Sequence, residues 1–163
     1  MDQVLTFMNE NLEDAKRYES DKIMTKTMIN NYAKNHLLPP PEKKKYSKEH
    51  MMVLMFIYYF KSILSIGDIQ SILNPLTESY FANGKELNLE KIYEEVFSLE
   101  AGQIEALKES LSTDYARAKE TFKEESKEDQ EYLQMFSFIC MLSYDIYIRK
   151  QIIEKIIDGF HLE

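Results

Sequence analysis

Apolar residues recur along this chain at three- and four-residue spacing, and short polar links separate the recurring stretches. Val4, Leu5, Met8, Leu12 and Ala15 share one face of residues 2–18, the spacing of an amphipathic helix. After Thr25, a residue suited to an N-cap, the spacing returns in Met28, Ile29, Tyr32 and Ala33. The other face of this second helix, Thr25–His36, carries Lys26, Asn30, Asn31, Lys34 and Asn35. Pro39-Pro40-Pro41 ends it, because proline lacks the amide donor and biases its predecessor away from helical geometry. Ser47 is placed to cap a third helix, Lys48 to Leu64, whose run MMVLMFIYYF is apolar nearly all round. That pattern marks a helix central to a core. The stretch SIGD at 65–68 has the form of a capping box and starts a fourth helix, Ile66–Leu73, which Asn74-Pro75 closes.

Beyond Pro75 the pattern loosens. Asn83-Gly84 predicts a turn, and helical spacing resumes at Leu89 with Ile92, Tyr93, Val96, Phe97 and Leu99. A charged helix with a thin apolar stripe is expected from Gln103 to about Lys127, and a long final one from about Asp129 to Asp158. In the last, Tyr132, Ile139, Ile146 and Ile153 fall seven apart, flanked by Met135, Phe136, Leu142, Ile156 and Ile157. A stripe this long suits a second subunit as well as a bundle core. The predicted class is all-α: a first module over 1–75, then a helical bundle region over 76–163 that dimerises or completes the core.

Composition agrees. Four glycines and four prolines in 163 residues leave little material for hairpins. One cysteine, Cys140, excludes an intramolecular disulfide and fits a reducing cytoplasm, the expected location. Its neighbours Phe138, Ile139 and Met141 predict a buried small hydrophobe and not a reactive thiol. No apolar run reaches the roughly 20 residues needed to cross a bilayer, so no membrane partner is expected.

Charge changes the picture more than composition does. Between Lys22 and His50 stand seven lysines against Glu42 and Glu49, a local +5 in a chain whose net charge is −8. Basic character gathered at one corner of an acidic body points to a local anionic partner.

Catalytic chemistry has no comparable signal. His36, His50 and His161 show no metal-site spacing, and neither a phosphate-cradling glycine loop nor a nucleophile elbow is present. Neither enzymatic activity, cofactor nor metal is therefore expected. Asp145, inside the last apolar stripe, is the oddest polar residue and is expected at the edge of its helix.

Residues 25–73 resemble the winged helix-turn-helix module of the MerR transcription-regulator superfamily. The pattern there is a Ser or Thr cap, then T-I-R-Y-Y-E-x-x-G-L-L-P-P, then a basic Y-R-x-Y-S corner. This chain offers Thr25, then MINNYAKNHLLPP from 28 to 40, KKKYS from 43 to 47 and ILSIGDI from 63 to 69. Most of residues 2–76 resembles more closely a bacterial family known as domain of unknown function 1836, which is grouped with MerR-like proteins.

The resemblance implies a transcription regulator on double-stranded DNA, acting as a homodimer. Its contacts would come from Thr25, Lys26, Asn30, Asn31, Tyr32 and Lys34 of the recognition helix and from Lys43, Lys44, Lys45 and Tyr46 of the wing. Asparagine suits adenine, and lysine suits phosphate or guanine. Asn30 stands where the pattern has arginine, and the wing is several residues shorter. The alternative reading is a helical adaptor whose basic corner docks an acidic protein. A small-molecule effector is left open, the Met, Phe and Tyr content after residue 75 being able to line a pocket or simply to form core.

Overall fold

The structure is a computed structural model that describes residues 1–43 and 45–160, with the backbone alone at position 101. The described residues hold α1 (Asp2–Asn11), a 3-10 turn (Glu13–Ala15), α2 (Lys26–Lys34), α3 (Lys48–Phe60), α4 (Ile66–Tyr80), α5 (Leu89–Ser98), α6 (Glu100–Lys119) and α7 (Lys127–Gly159). The fold is all-α. Two compact units divide the chain, Met1–Glu94 and Glu95–Glu163. The first unit thus takes in residues 76–94, beyond the module expected from the sequence.

Helix α3 is the centre of the first unit. Met52, Val53, Leu54, Phe56 and Ile57 are all buried on it, as the all-round apolar run requires. Helices α1 and α4 both pack against α3, and Val4, Met8, Ile29, Leu37, Leu38, Ile69, Leu73 and Leu89 complete the interior. After α3, Lys61 donates 3.0 Å to the carbonyl of Ile23 and lies over the Tyr58 ring at 4.9 Å. Its stem is apolar and its charge is satisfied at the tip. Burial lowers the pKa of this ammonium below the ordinary 10.5.

Helix α4 begins at the expected capping box, in which Ser65 Oγ accepts from Asp68 N at 3.1 Å and Asp68 Oδ2 accepts from Ser65 N at 3.1 Å. It does not stop at Asn74-Pro75; Pro75 lies inside it and the helix runs on to Tyr80. Proline deprives the carbonyl four residues earlier, that of Ser71, of its amide partner. Thr77 Oγ1 donates to Leu73 O at 2.9 Å and Asn74 O at 3.1 Å, neither of which is the carbonyl the proline leaves without a donor. Burial of Ile69 and Leu73 ahead of the proline holds the helix in place against that loss.

The second unit is a hairpin of α6 on α7. Its turn is held by a buried glutamine: Gln134 Nε2 donates to Lys119 O and Thr121 O, each at 3.0 Å. These are carbonyls at a helix C-terminus that lack intrahelical donors. Of the expected seven-residue stripe, Tyr132, Ile139 and Ile146 are exposed, at 71%, 54% and 60%. Cys140 is exposed as well, against the buried position expected for it. A hairpin has one packing face per helix, and the stripe on which Cys140 borders is not the one turned to α6. Asp145 is paired on its own helix with Arg149 at 2.8 Å. No helix among the described residues is long and apolar enough to cross a membrane.

Candidate nucleic-acid interface

Helix α2 is fixed at both ends by its own sequence. Thr25 Oγ1 accepts from Met28 N at 3.2 Å, the N-cap expected of it. The other end closes before the prolines: His36 N donates to Ala33 O at 3.2 Å and Leu37 N to Tyr32 O at 2.9 Å. That paired closure is a Schellman motif, with His36 at the left-handed position at φ 55°. The prolines therefore follow the end of the helix instead of making it, and Leu37 and Leu38 go into the core. In the MINNYAKNHLLPP stretch His36 stands at the glycine of the MerR pattern, the residue type such a φ favours.

Between these ends, Ile29 is fully buried and Lys26, Thr27, Asn30, Asn31, Lys34 and Asn35 are exposed. Lys26 is tied to Asp2 of α1 at 2.7 Å, and that hydrogen bond lowers the Asp2 carboxyl below its ordinary pKa. Asn35 Nδ2 caps Asn31 O at 2.8 Å, and Gln70 of α4 donates to Asn35 O at 2.5 Å. Tyr32 is half-buried; burial raises its phenol pKa, and its carbonyl takes the Leu37 amide. Thr27, Asn30, Asn31 and Lys34 are exposed on this helix with no side-chain partner among the described residues, and so are free to meet a ligand.

The basic corner is a tight turn in which Lys45 N donates to Glu42 O at 2.7 Å and Lys43 sits at φ 47°. Lys44 lies outside the described residues. Lys43 and Lys45 are exposed and, like Lys34, have no ion-pair partner among the described residues. Lys48, the next cation, pairs with Glu90 of α5. Tyr46 is turned inward, its ring edge-on to His50 with centroids 5.3 Å apart.

His50 is the residue the sequence reading passed over. Its Nδ1 accepts from Ser47 N at 2.9 Å and lies 2.9 Å from Ser47 Oγ, so histidine takes the place usually held by Glu or Gln in a capping box. The Ser-x-x-His spacing at 47–50 carries that signal, although histidine is an unusual partner. The ring is 3% exposed and held between Tyr46 and Phe81, the latter at 4.8 Å. Burial lowers its pKa below the ordinary 6.5; the nearby carbonyls of Pro40 and Pro39 and the charges of Glu49 and Glu42 work the other way. Neither carbonyl makes a hydrogen bond of normal geometry to Nε2, which is buried and unpartnered. Phe81 reaches this ring because α4 continues past Pro75.

Among the described residues no three His, Cys, Asp or Glu side chains gather as a metal-binding group. The protein is thus an all-helical chain of two compact units, and in the first of them Lys34, Lys43 and Lys45 stand exposed without an ion pair among the described residues, as Lys22 and Lys85 also do. It belongs to the family described as Domain of unknown function (DUF1836), whose model matches residues 1–96. Comparison with curated proteins returns no match, and comparison with solved structures returns none either.

Proposed function

We propose that this protein is a DNA-binding regulator of MerR-like type, with α2 as recognition helix and the 42–46 corner as a short wing. The observation that carries the reading is the charge left over after pairing. Lys26 and Lys48 are neutralised by Asp2 and Glu90, while on α2 and its corner Lys34, Lys43 and Lys45 stay exposed without an acidic partner among the described residues. Such lysines suit phosphates, and Asn30 and Asn31 beside them suit adenine edges. A helix-turn-helix sets its second helix in the major groove while a wing holds adjacent backbone. The exposed Tyr132, Ile139 and Ile146 of α7 support a homodimer, because large apolar side chains left exposed at seven-residue intervals have lower free energy when covered.

A second reading, a helical adaptor for an acidic protein, draws on Asn30. Where the pattern has arginine, asparagine removes the forked grip on phosphate. A binding selection on random duplex DNA separates the two, with the Lys43→Ala/Lys44→Ala/Lys45→Ala protein alongside. The expected result is a near-palindromic motif recovered by the native protein and lost in the variant. An absence of enrichment at low salt would remove DNA from the account and leave the adaptor.

A further inference from the structure

Between α4 and α5 the chain turns at Asn83-Gly84, the only Asn-Gly pair in the sequence. Ala82 and Gly84 both take left-handed backbone, at φ 48° and 62°, and glycine is the residue for which that conformation carries no steric cost. Asn83 clamps the turn: Nδ2 donates to Ser79 O at 3.0 Å and to Leu87 O at 3.2 Å, and Oδ1 accepts from Lys85 N at 3.1 Å. We propose that Asn83 is a modification site, at which the side-chain amide is lost to water by way of a cyclic imide formed with the Gly84 nitrogen. The inference goes beyond the DNA-binding reading and stands whether or not the corner touches DNA.

The geometry of the turn opens this route. The Gly84 amide makes no hydrogen bond among the described residues, so its nitrogen is available as a nucleophile. Gly84 is exposed, and nothing lies within 4 Å of the place a Cβ would take, so the approach is unhindered. The bond from Lys85 N to Asn83 Oδ1 closes an Asx turn, which folds the side chain back over the intervening peptide, the one whose nitrogen belongs to Gly84. The same bond draws electron density from the Cγ carbonyl. Other asparagines lack this combination. Asn30 and Asn31 lie inside α2, where the amide that follows each is committed to a helical hydrogen bond. Asn74 precedes Pro75, which has no amide proton to lose.

The step needs water and nothing else. Solvent hydroxide removes the Gly84 amide proton, and the nitrogen attacks Asn83 Cγ. The N–Cγ bond forms, the Cγ–Nδ2 bond breaks, and Nδ2 leaves as ammonia with a proton from water. Water then opens the imide: cleavage at Cγ gives aspartate, and cleavage at the backbone carbonyl carbon gives isoaspartate. Either product replaces a donor to two carbonyls with a carboxylate that faces them. Ser79 lies in the last turn of α4, where carbonyls lack intrahelical donors. Leu87 stands two residues before the fully buried Leu89 that opens α5. The modified turn therefore releases the end of α4 from the start of α5.

The test incubates the folded full chain in mildly alkaline buffer and follows each asparagine by peptide mass spectrometry, with fragmentation that separates isoaspartate from aspartate. The expected result is conversion at Asn83 ahead of every other asparagine, faster as the pH rises and lost in Asn83→Gln, whose longer side chain disfavours the ring. Hydrogen exchange at the α5 amides should be about tenfold faster in the converted chain, the factor a lost hydrogen bond gives. Asn83→Asp, made directly, should show the same faster exchange without any incubation. Conversion of Asn83 only in the urea-unfolded chain, another asparagine converting first, or unchanged α5 exchange in both the converted chain and Asn83→Asp would each overturn the proposal.

Discussion

The two units of this chain use apolar residues in opposite ways. In Met1–Glu94 the large aliphatic side chains are inside, with Met8, Ile29, Val53, Leu54 and Ile57 fully covered around α3. In Glu95–Glu163 only Ala118 and Ile157 are buried hydrophobic residues among those described, while Leu99, Tyr132, Phe136, Ile139, Tyr144 and Ile146 face outward. A two-helix hairpin has no geometry that encloses a core, whereas four short helices around α3 do. The first unit accordingly carries its own stability. The second carries a surface whose free energy falls when something covers it.

That contrast gives its largest expected effect inside the first unit. Ile29→Ala removes a side chain with no exposure and should cost about 2–5 kcal/mol, read from chemical denaturation of the first unit. A cost under about 1 kcal/mol would show that the α2–α3 interior is not close-packed. In the second unit the same kind of change should act through assembly. Ile139→Glu with Ile146→Glu should raise the dimer dissociation constant at least about 100-fold in sedimentation velocity, with helix content little changed. A native chain that sediments as a monomer at high concentration would remove the partner from the account.

Smaller effects sharpen the picture of the corner. Burial holds the His50 pKa below 6.5, so the unfolded chain binds the proton more readily than the folded one. Stability should then be complete above about pH 6.5 and fall as the pH drops below it toward the folded-state pKa. Protonation also converts Nδ1 from the acceptor of the Ser47 amide into a donor. His50→Gln keeps a capping-box side chain without titrating, and should flatten this limb of the pH–stability profile. An unchanged profile in the variant would assign the limb to other groups. The smallest effect belongs to His36, whose φ of 55° is strained for any side chain with a Cβ. His36→Gly should raise stability by about 0.5–1 kcal/mol in thermal unfolding.

How much of this was legible follows the same division. The α3 core, the caps at Thr25 and Ser65, and the polar face of α2 can be read directly, because periodicity and capping are local. Pro75 misleads because local chemistry argues for a stop, while the burial of Ile69 and Leu73 keeps the helix going. Cys140 misleads for the complementary reason: apolar neighbours mark a stripe as one that prefers cover, and do not show whether this chain provides it. His50 was hidden because its role joins three segments, the cap at Ser47, the prolines at 39–40 and Phe81, which meet only when folded. Of the residues expected to meet DNA, Asn30, Asn31, Lys34, Lys43 and Lys45 are free to do so. Lys26, Tyr32 and Tyr46 are engaged with Asp2, the α2 closure and His50.

The most direct test of the central claim is the salt dependence of duplex DNA binding by fluorescence anisotropy, comparing the native chain with Lys43→Ala/Lys45→Ala. A corner that neutralises two phosphates predicts a plot of log affinity against log salt that is shallower by about two in the variant. No binding at about 50 mM salt, or the same slope in both proteins, would contradict the account.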